Sequence, residues 1–145
     1  MRHVFLINPH AGKQDQTARI RALADRLAAA HNLDCRCLLT DRPGGAEVLS
    51  RALAEAGEPV RIYACGGDGT LNEVVNGAAG FSHVAVTNVP LGTGNDLPKL
   101  FGSRYREPFS NLPALMAGPQ AAFYSLDCNG TLGHGGVCSG VADRC

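Results

Sequence analysis

The sequence predicts an α/β domain in which a largely parallel β-sheet lies between two layers of helices. Short apolar runs of strand length alternate with longer segments whose apolar residues recur every three or four positions. Polar or glycine-rich segments directly follow three of these runs. Strands that alternate with helices form βαβ units with helices on both faces of the sheet. The 145 residues are enough for one such domain with a buried core.

Five segments have the composition and length of strands. The first is a compact apolar run that stops at Asn8-Pro9, and the second alternates apolar with polar side chains. The predicted strands are residues 3–8, 34–40, 60–65, 83–89 and 121–128.

Helices are predicted between these strands. Residues 15–31 carry an apolar stripe at helical spacing, and Pro43 suits the first turn of a second helix that Gly57 closes. A third helix is predicted to begin near Thr70. The apolar stripes of the three helices are Ile20, Leu23, Ala24 and Leu27; Leu49, Ala52, Leu53 and Ala56; and Leu71, Val74, Val75 and Ala78. A short helix after residues 90–96 and another at 108–117 complete the prediction.

Charge and hydropathy exclude several classes of protein. The formal net charge is +0 and no long run of one sign occurs, so nothing indicates nucleic-acid binding. The apolar run at the N-terminus is shorter than the core of a signal peptide, and no segment approaches the roughly 20 apolar residues of a membrane span. We therefore expect a cytoplasmic protein. The six cysteines form no Cys-x-x-Cys pair and are expected to be reduced.

Three conspicuous segments fall at the carboxyl ends of predicted strands. They are residues 8–12, 66–70 and 92–96, and Thr40 closes the second strand at the same edge of the sheet. Ligands of open α/β sheets bind beyond the carboxyl ends of the strands. This convergence predicts a ligand site at that edge.

The segment at residues 66–70 has the chemistry of a phosphate site. Its glycines let a phosphate approach the backbone without meeting a Cβ. The helix beginning near Thr70 offers unpaired N–H groups and a partial positive charge to an anion. Asp68 would repel a bare phosphate, but it suits a Mg²⁺ ion that bridges the carboxylate and the phosphates.

A purely structural interpretation stays open for each segment by itself. Glycine and aspartate also make good turns, and Thr70 with Glu73 is typical of a helix start. Asn95 and Asp96 would likewise cap a helix beginning at Leu97. A second glycine segment at the next strand end favours a ligand. The motifs of P-loop NTPases, dinucleotide-binding folds and serine hydrolases are not found, and the histidines lack metal-ligand spacing.

Three motifs carry a resemblance to a known family. Residues 8–12 read NPHAG, residues 66–77 read GGDGTLNEVVNG and residues 90–97 read PLGTGNDL. In this order they resemble the diacylglycerol kinase catalytic domain, in its bacterial lipid-kinase branch. NAD kinases share the GGDGT element, whereas the LNEVVNG extension and GTGND favour the lipid kinases. The resemblance implies a three-layer αβα fold, that of the N-terminal domain of these kinases.

The resemblance also implies a nucleotide site, with ATP and Mg²⁺ as cofactors. Asn8 and Thr40 would lie beside the nucleotide, and Thr93 would complete the pocket. The residues that would cradle the phosphates are Gly66, Gly67, Asp68, Gly69, Thr70, Leu71 and Asn72. Asp68 would be the catalytic acidic residue that handles Mg²⁺–ATP, and Asp96 would organise the metal or the acceptor. The implied reaction transfers the γ-phosphoryl group to a hydroxyl of a diacylglycerol-like lipid.

The match is to one part of the family's architecture. Family members carry a second, β-rich domain that supplies the lipid pocket and the general base. We expect residues 1–128 to form the ATP-binding domain and residues 129–145 to form a poorly ordered, glycine-rich tail leading toward that domain, which is absent here. In the tail, Gly140 stands one place earlier than the family's pattern has its glycine.

Three functional interpretations follow. In the first, the chain is the ATP-binding part of a lipid kinase and has little activity alone. In the second, it is a stand-alone or degenerate nucleotide-binding protein without kinase activity. The third is a kinase of the NAD-kinase kind. The lipid acceptor implies transient contact with a membrane surface, and uncovered apolar surface would favour a homo-oligomer.

Overall fold

The computed structural model describes residues 1–91 and two short strands nearer the C-terminus. The elements are β1 (Arg2–Ile7), α1 (Thr17–His31), β2 (Asp34–Leu39), α2 (Gly45–Glu55), β3 (Val60–Gly66), α3 (Asp68–Ala78), β4 (Val84–Pro90), β5 (Leu126–Cys128) and β6 (Thr131–Gly133). The helices predicted after residue 90 and at 108–117 lie outside the described residues.

Four of the strands form one parallel sheet in the order β2-β1-β3-β4. Ile7 of β1 is opposite Leu39 of β2 and Cys65 of β3, and Gly66 is opposite Pro90 of β4. The four strands therefore end together at one edge, which we call the carboxyl edge. The predicted parallel sheet is confirmed.

Helices cover both faces of the sheet because β1 and β3 are apolar on both sides. Phe5 and Tyr63 point to the α1 face, where they pack with Ile20. Leu6 and Ile62 point to the opposite face. Alternate residues of a strand face opposite ways, so a strand buried on both faces reads as a continuous apolar run. The α1 face is completed by Ile7, Ala24, Leu27, Cys65 and Val89, and the other face by Val4, Ala46, Val60, Ala64, Leu71 and Val74.

On the second face, α2 and α3 pack closely against each other. The buried Ser50 hydroxyl donates to the Val74 carbonyl at 2.7 Å. A Cβ on Gly77 would lie 2.5 Å from the Glu47 carbonyl oxygen and 2.7 Å from Ser50 Cβ. Glycine at position 77 therefore permits the close approach of the two helices.

The starts of two helices differ from the predicted positions. Pro43 was expected in the first turn of α2, but the helix begins at Gly45. Gly44 has φ 81°, a left-handed conformation that a right-handed helix cannot include. Conversely, α3 begins at Asp68, two residues before the predicted start at Thr70, because Gly67 takes the N-cap position. Residues 68–70 are thus the first helical turn rather than a loop.

The part of the chain nearest the C-terminus contributes a small separate sheet. Leu126–Cys128, the end of the strand predicted at 121–128, pairs antiparallel with Thr131–Gly133, which lies within the predicted tail. Cys35, Cys37 and Cys65 are free thiols, as expected. Among the described helices, none combines the length and apolarity needed to cross a bilayer.

Candidate functional site

The segment after β1 forms a tight turn at the carboxyl edge. Its start is tied to β3, since the Asn8 N–H donates to the Cys65 carbonyl at 2.9 Å. The Asn8 side-chain oxygen accepts the His10 N–H at 3.0 Å, an Asx-type turn. The Asn8 side-chain nitrogen reaches Thr70 Oγ1 at 3.4 Å. Asn8 therefore joins the first motif to the first turn of α3.

The junction between β3 and α3 is a single residue long. Gly66 ends the strand, Gly67 is the N-cap residue, and no side chain caps the helix through Gly67. The first N–H groups of a helix have no partner inside the helix. Together with the helix dipole they form a place where an anion is stabilised.

These two segments enclose a cavity of about 410 Å³. The size falls within the range of small-molecule sites. Its lining residues are Asn8, Ala11, Gly12, Lys13, Gly67, Gly69 and Thr70. The cavity therefore unites the first predicted motif with the first turn of α3, and its walls are mostly backbone and small side chains.

The fold itself requires some of the glycines around this cavity. Gly12 has φ 74°, and a Cβ there would lie 2.5 Å from the Leu91 carbonyl oxygen. A Cβ on Gly66 would meet Thr70, with only 2.7 Å to Thr70 Cβ. Side chains at these two positions are excluded by the protein's own atoms.

Gly67 and Gly69 are different. Within the part of the chain that the structure describes, a Cβ at either position would meet nothing within 4 Å, and neither residue has a positive φ. The turn-chemistry interpretation left open above thus accounts for Gly12 and Gly66 but not for these two. Both line the cavity, where a Cβ would occupy space that is otherwise open to a ligand.

Other predicted site residues lie at the same edge without lining the cavity. Thr40 is buried, and its hydroxyl donates to the Ile7 carbonyl at 3.5 Å. Asp68 is half-buried in the first turn of α3, and Asn72 follows one turn later. The side chain of Leu71 is 2% exposed and packs in the core. Thr93 and Asp96 lie outside the described residues.

The sequence interpretation missed one cationic residue of the site. Lys13 lines the cavity and is exposed. It directly follows the glycine with a positive φ that ends the first motif. A cation immediately after a glycine turn at a strand end was the available signal, since the ligand expected at this edge is an anion.

A thiol-based reaction is not supported at this edge. Cys65 precedes Gly66 in β3, and burial raises the pKa of its thiol far above the usual value, with Cys37 raising it further. A thiol that stays protonated is a poor nucleophile. Among the described residues, no cluster of three His, Cys, Asp or Glu side chains is arranged to hold a metal ion.

Comparison with known proteins identifies the family. Residues 2–123 match the diacylglycerol kinase catalytic domain. The chain belongs to that family. The predicted resemblance is thereby confirmed, and the match contains all three motifs from which it was inferred.

Relatives within the family agree with this assignment. The chain is 35% identical over 99 residues to YtlR of Bacillus subtilis (strain 168), which bears the name of a lipid kinase. It is 35% identical over 112 residues to a YegS-like lipid kinase of Chromohalobacter salexigens. Among solved structures, a diacylglycerol kinase from Bacillus anthracis (strain Sterne) is 26% identical and superposes with a TM-score of 0.60 over 79% of this chain.

The matches cover only part of the relatives. The chain spans 32% of YtlR, 35% of the Chromohalobacter protein and 42% of the Bacillus anthracis structure. The described sheet and cavity therefore correspond to a part of each of those proteins.

Proposed function

We propose that this chain binds ATP with Mg²⁺ at the carboxyl edge of its sheet and serves as the ATP-binding part of a lipid kinase. The observation that carries the proposal is the open space at Gly67 and Gly69. The described residues leave room for a side chain at both positions, yet both are glycine and both line the cavity. A phosphate group that approaches the backbone at the start of a helix accounts for both features.

The residues present fit the triphosphate of ATP. The N–H groups in the first turn of α3 would donate to phosphate oxygens, and Lys13 would add a positive charge from the opposite wall. The polar side chains of Asn8 and Thr70, which also line the cavity, would form hydrogen bonds to the ligand. Asp68 would hold the Mg²⁺ that accompanies ATP, because Mg²⁺ prefers oxygen ligands. When bound, Mg²⁺ neutralises charge that develops on the phosphates during transfer.

The remaining assignments follow from family membership. Thr40 would lie next to the nucleotide, and Asn72 would help to cradle its phosphates. Thr93 would complete the pocket, and Asp96 would organise the metal or the acceptor. The proposed reaction transfers the γ-phosphoryl group to the hydroxyl of a diacylglycerol-like lipid. The proposal gives the described residues the nucleotide part of this reaction only. We accordingly expect the 145-residue chain to show little lipid kinase activity by itself.

Calorimetric titration of the purified chain with ATP, in the presence and absence of Mg²⁺, tests the proposal. We expect saturable binding that Mg²⁺ strengthens. Asp68→Asn should abolish the Mg²⁺ effect. Gly67→Ala should weaken ATP binding at least about tenfold, a change of about 1.4 kcal/mol. The same substitution should change the free energy of unfolding by less than about 1 kcal/mol, because alanine restricts the unfolded chain but is less favourable than glycine at the N-cap position that Gly67 occupies.

A matched pair of charge variants provides the control. Lys13→Gln should weaken ATP binding about tenfold, since a charged hydrogen bond contributes about 1.5 to 3 kcal/mol. Arg26→Gln removes one positive charge from an exposed position of α1 that does not line the cavity, and should leave binding unchanged. Wild-type affinity in a folded Gly67→Ala variant would contradict a phosphate site at this turn.

A further inference from the structure

The first turn of α2 is capped by a residue of another helix. Its own N-cap residue is Gly44, and no side-chain cap is made from that position. Instead, Glu73 of α3 accepts the Gly44 N–H on Oε1 at 2.9 Å and the Ala46 N–H on Oε2 at 3.1 Å. Both oxygens of one carboxylate thus satisfy backbone donors that would otherwise lack a partner at the positive end of α2.

This cap joins two connections at the carboxyl edge. One is the turn from Thr40 to the start of α2; a Cβ on Gly45 would lie 3.9 Å from Thr40 Cβ, so the helix begins directly against Thr40. The other is the first turn of α3, whose Gly69 and Thr70 line the cavity. Glu73 lies in the next turn of the same helix. The Glu73 cap therefore connects the turn after Thr40 to the helix that forms one wall of the cavity.

At the C-terminal end of α3, a residue of α2 binds the backbone of α3. Arg51 of α2 donates to the Asn76 carbonyl at 2.9 Å and to the Ala79 carbonyl at 3.4 Å, at the C-terminal end of α3. Its guanidinium also lies 5.4 Å from the centre of the Phe81 ring. The two ends of α3 are about 15 Å apart, given the rise of an α-helix. Arg51 thus holds the same two helices together, but away from the cavity.

We infer that Glu73 is a positioning residue for nucleotide binding. It acts through the backbone of residues 44–46 and holds the turn after Thr40 at a fixed distance from the first turn of α3. The inference rests on the proposed function, because the ligand whose binding depends on this distance is ATP. Arg51 makes the comparable structural contact without this role.

The test compares Glu73→Ala with Arg51→Ala in the purified chain. ATP titration with Mg²⁺ should show about tenfold weaker binding for Glu73→Ala, the equivalent of losing one helix cap. Arg51→Ala should bind ATP within about twofold of wild type, while both variants lower the denaturation midpoint. Glu73→Gln, which keeps one strong acceptor oxygen, should recover part of the affinity; if Glu73→Ala does not fold, this variant should still bind two- to fivefold more weakly than wild type. Equal ATP affinity in Glu73→Ala and Arg51→Ala would overturn the inference.

Hydrogen exchange separates this inference from the proposed function. In Glu73→Ala, the amides of residues 40–46 should exchange faster than in wild type, with no such change in Arg51→Ala. Absence of ATP binding by the wild-type chain would refute the proposed function, and with it the nucleotide role of Glu73. In that case faster exchange at 40–46 would still show that Glu73 fixes this turn, and unchanged exchange would overturn the positioning role as well.

Discussion

The carboxyl edge of the sheet and the opposite edge, where the strands begin and which we call the amino edge, both carry polar groups. The polar groups of the amino edge bind each other, whereas those of the carboxyl edge surround a cavity. At the amino edge, His3 Nδ1 and the Tyr63 hydroxyl share a buried hydrogen bond of 2.9 Å. Arg61 is buried beside them, and Arg2 pairs with Asp34 at 3.2 Å. At the carboxyl edge, by contrast, glycines, a helix start and a lysine surround a cavity of about 410 Å³.

The difference shows what distinguishes a binding site from a structural cluster. A hydrogen bond or ion pair made within the protein satisfies a polar group that folding has removed from water. At the amino edge, burial raises the pKa of Tyr63 to about 12, although the nearby Arg61 lowers it. Such a phenol stays neutral and hydrogen-bonded. Polarity alone therefore does not mark a ligand site in this fold, because a ligand needs donors that the protein's own groups leave available.

Gly66→Ala should have the largest effect on stability, because it disrupts the packing between β3 and α3 at the carboxyl edge. The new Cβ would lie 2.7 Å from Thr70 Cβ, so either β3 or α3 must shift. We expect the free energy of unfolding to fall by about 3 kcal/mol, the upper end for overpacking, and ATP binding to be lost. Urea denaturation of the variant measures the first effect. An unchanged denaturation midpoint would show that the junction is not as tightly packed as its geometry indicates.

Asn88→Leu should have a smaller effect of opposite sign. Asn88 lies in β4 opposite Ala64, is 5% exposed, and neither atom of its amide makes a hydrogen bond within the described part of the structure. A buried amide without a partner costs about 1 to 3 kcal/mol, and leucine has a similar branched shape. We expect the free energy of unfolding to rise by about 1 to 2 kcal/mol.

Tyr63→Phe is the matched control for this substitution. It removes a buried hydroxyl that does have a partner, His3, and should lower the free energy of unfolding by about 1 kcal/mol. If Asn88→Leu also lowered the free energy of unfolding, the Asn88 amide would have to make hydrogen bonds in solution. The contrast between Asn88 and the hydrogen-bonded Tyr63 hydroxyl would then disappear.

Much of the fold could be predicted because its signals are local. The apolar runs of β1 and β3 and the stripe of α1 depend only on residue spacing, and their positions were correct to within one or two residues. The predicted start of α2 was wrong because the observed start depends on the left-handed conformation of Gly44. Pro43, two residues before the observed start at Gly45, carried the stronger sequence signal for a first helical turn.

The site was predicted only in part, because some of its contacts join distant parts of the chain. Strand ends alone brought Asn8 and residues 66–70 to one edge. Lys13 was missed, since its direction depends on the turn at Gly12. Glu73 was interpreted as a helix-start residue of α3. Its carboxylate instead accepts hydrogen bonds from the N–H groups of Gly44 and Ala46, 29 and 27 residues earlier in the chain. Leu71 is predicted to help cradle the phosphates, and its side chain packs in the core, as its place in the apolar stripe favours.

The smallest predicted effect concerns the pH dependence of the amino edge. Burial, assisted by the charges of Arg61 and the N-terminus, lowers the pKa of His3 from its ordinary value of 6.5, while Asp34 opposes the shift. The unfolded chain therefore binds a proton at this histidine at a higher pH than the folded chain does. It follows that His3 makes the folded state less stable as the pH falls below about 6.5, by up to about 1.4 kcal/mol for each unit of pKa difference. Urea denaturation between pH 7.5 and 5 should show a shallower loss of stability in His3→Gln than in wild type, whereas equal slopes would mean that the buried pair of His3 and Tyr63 does not control this titration.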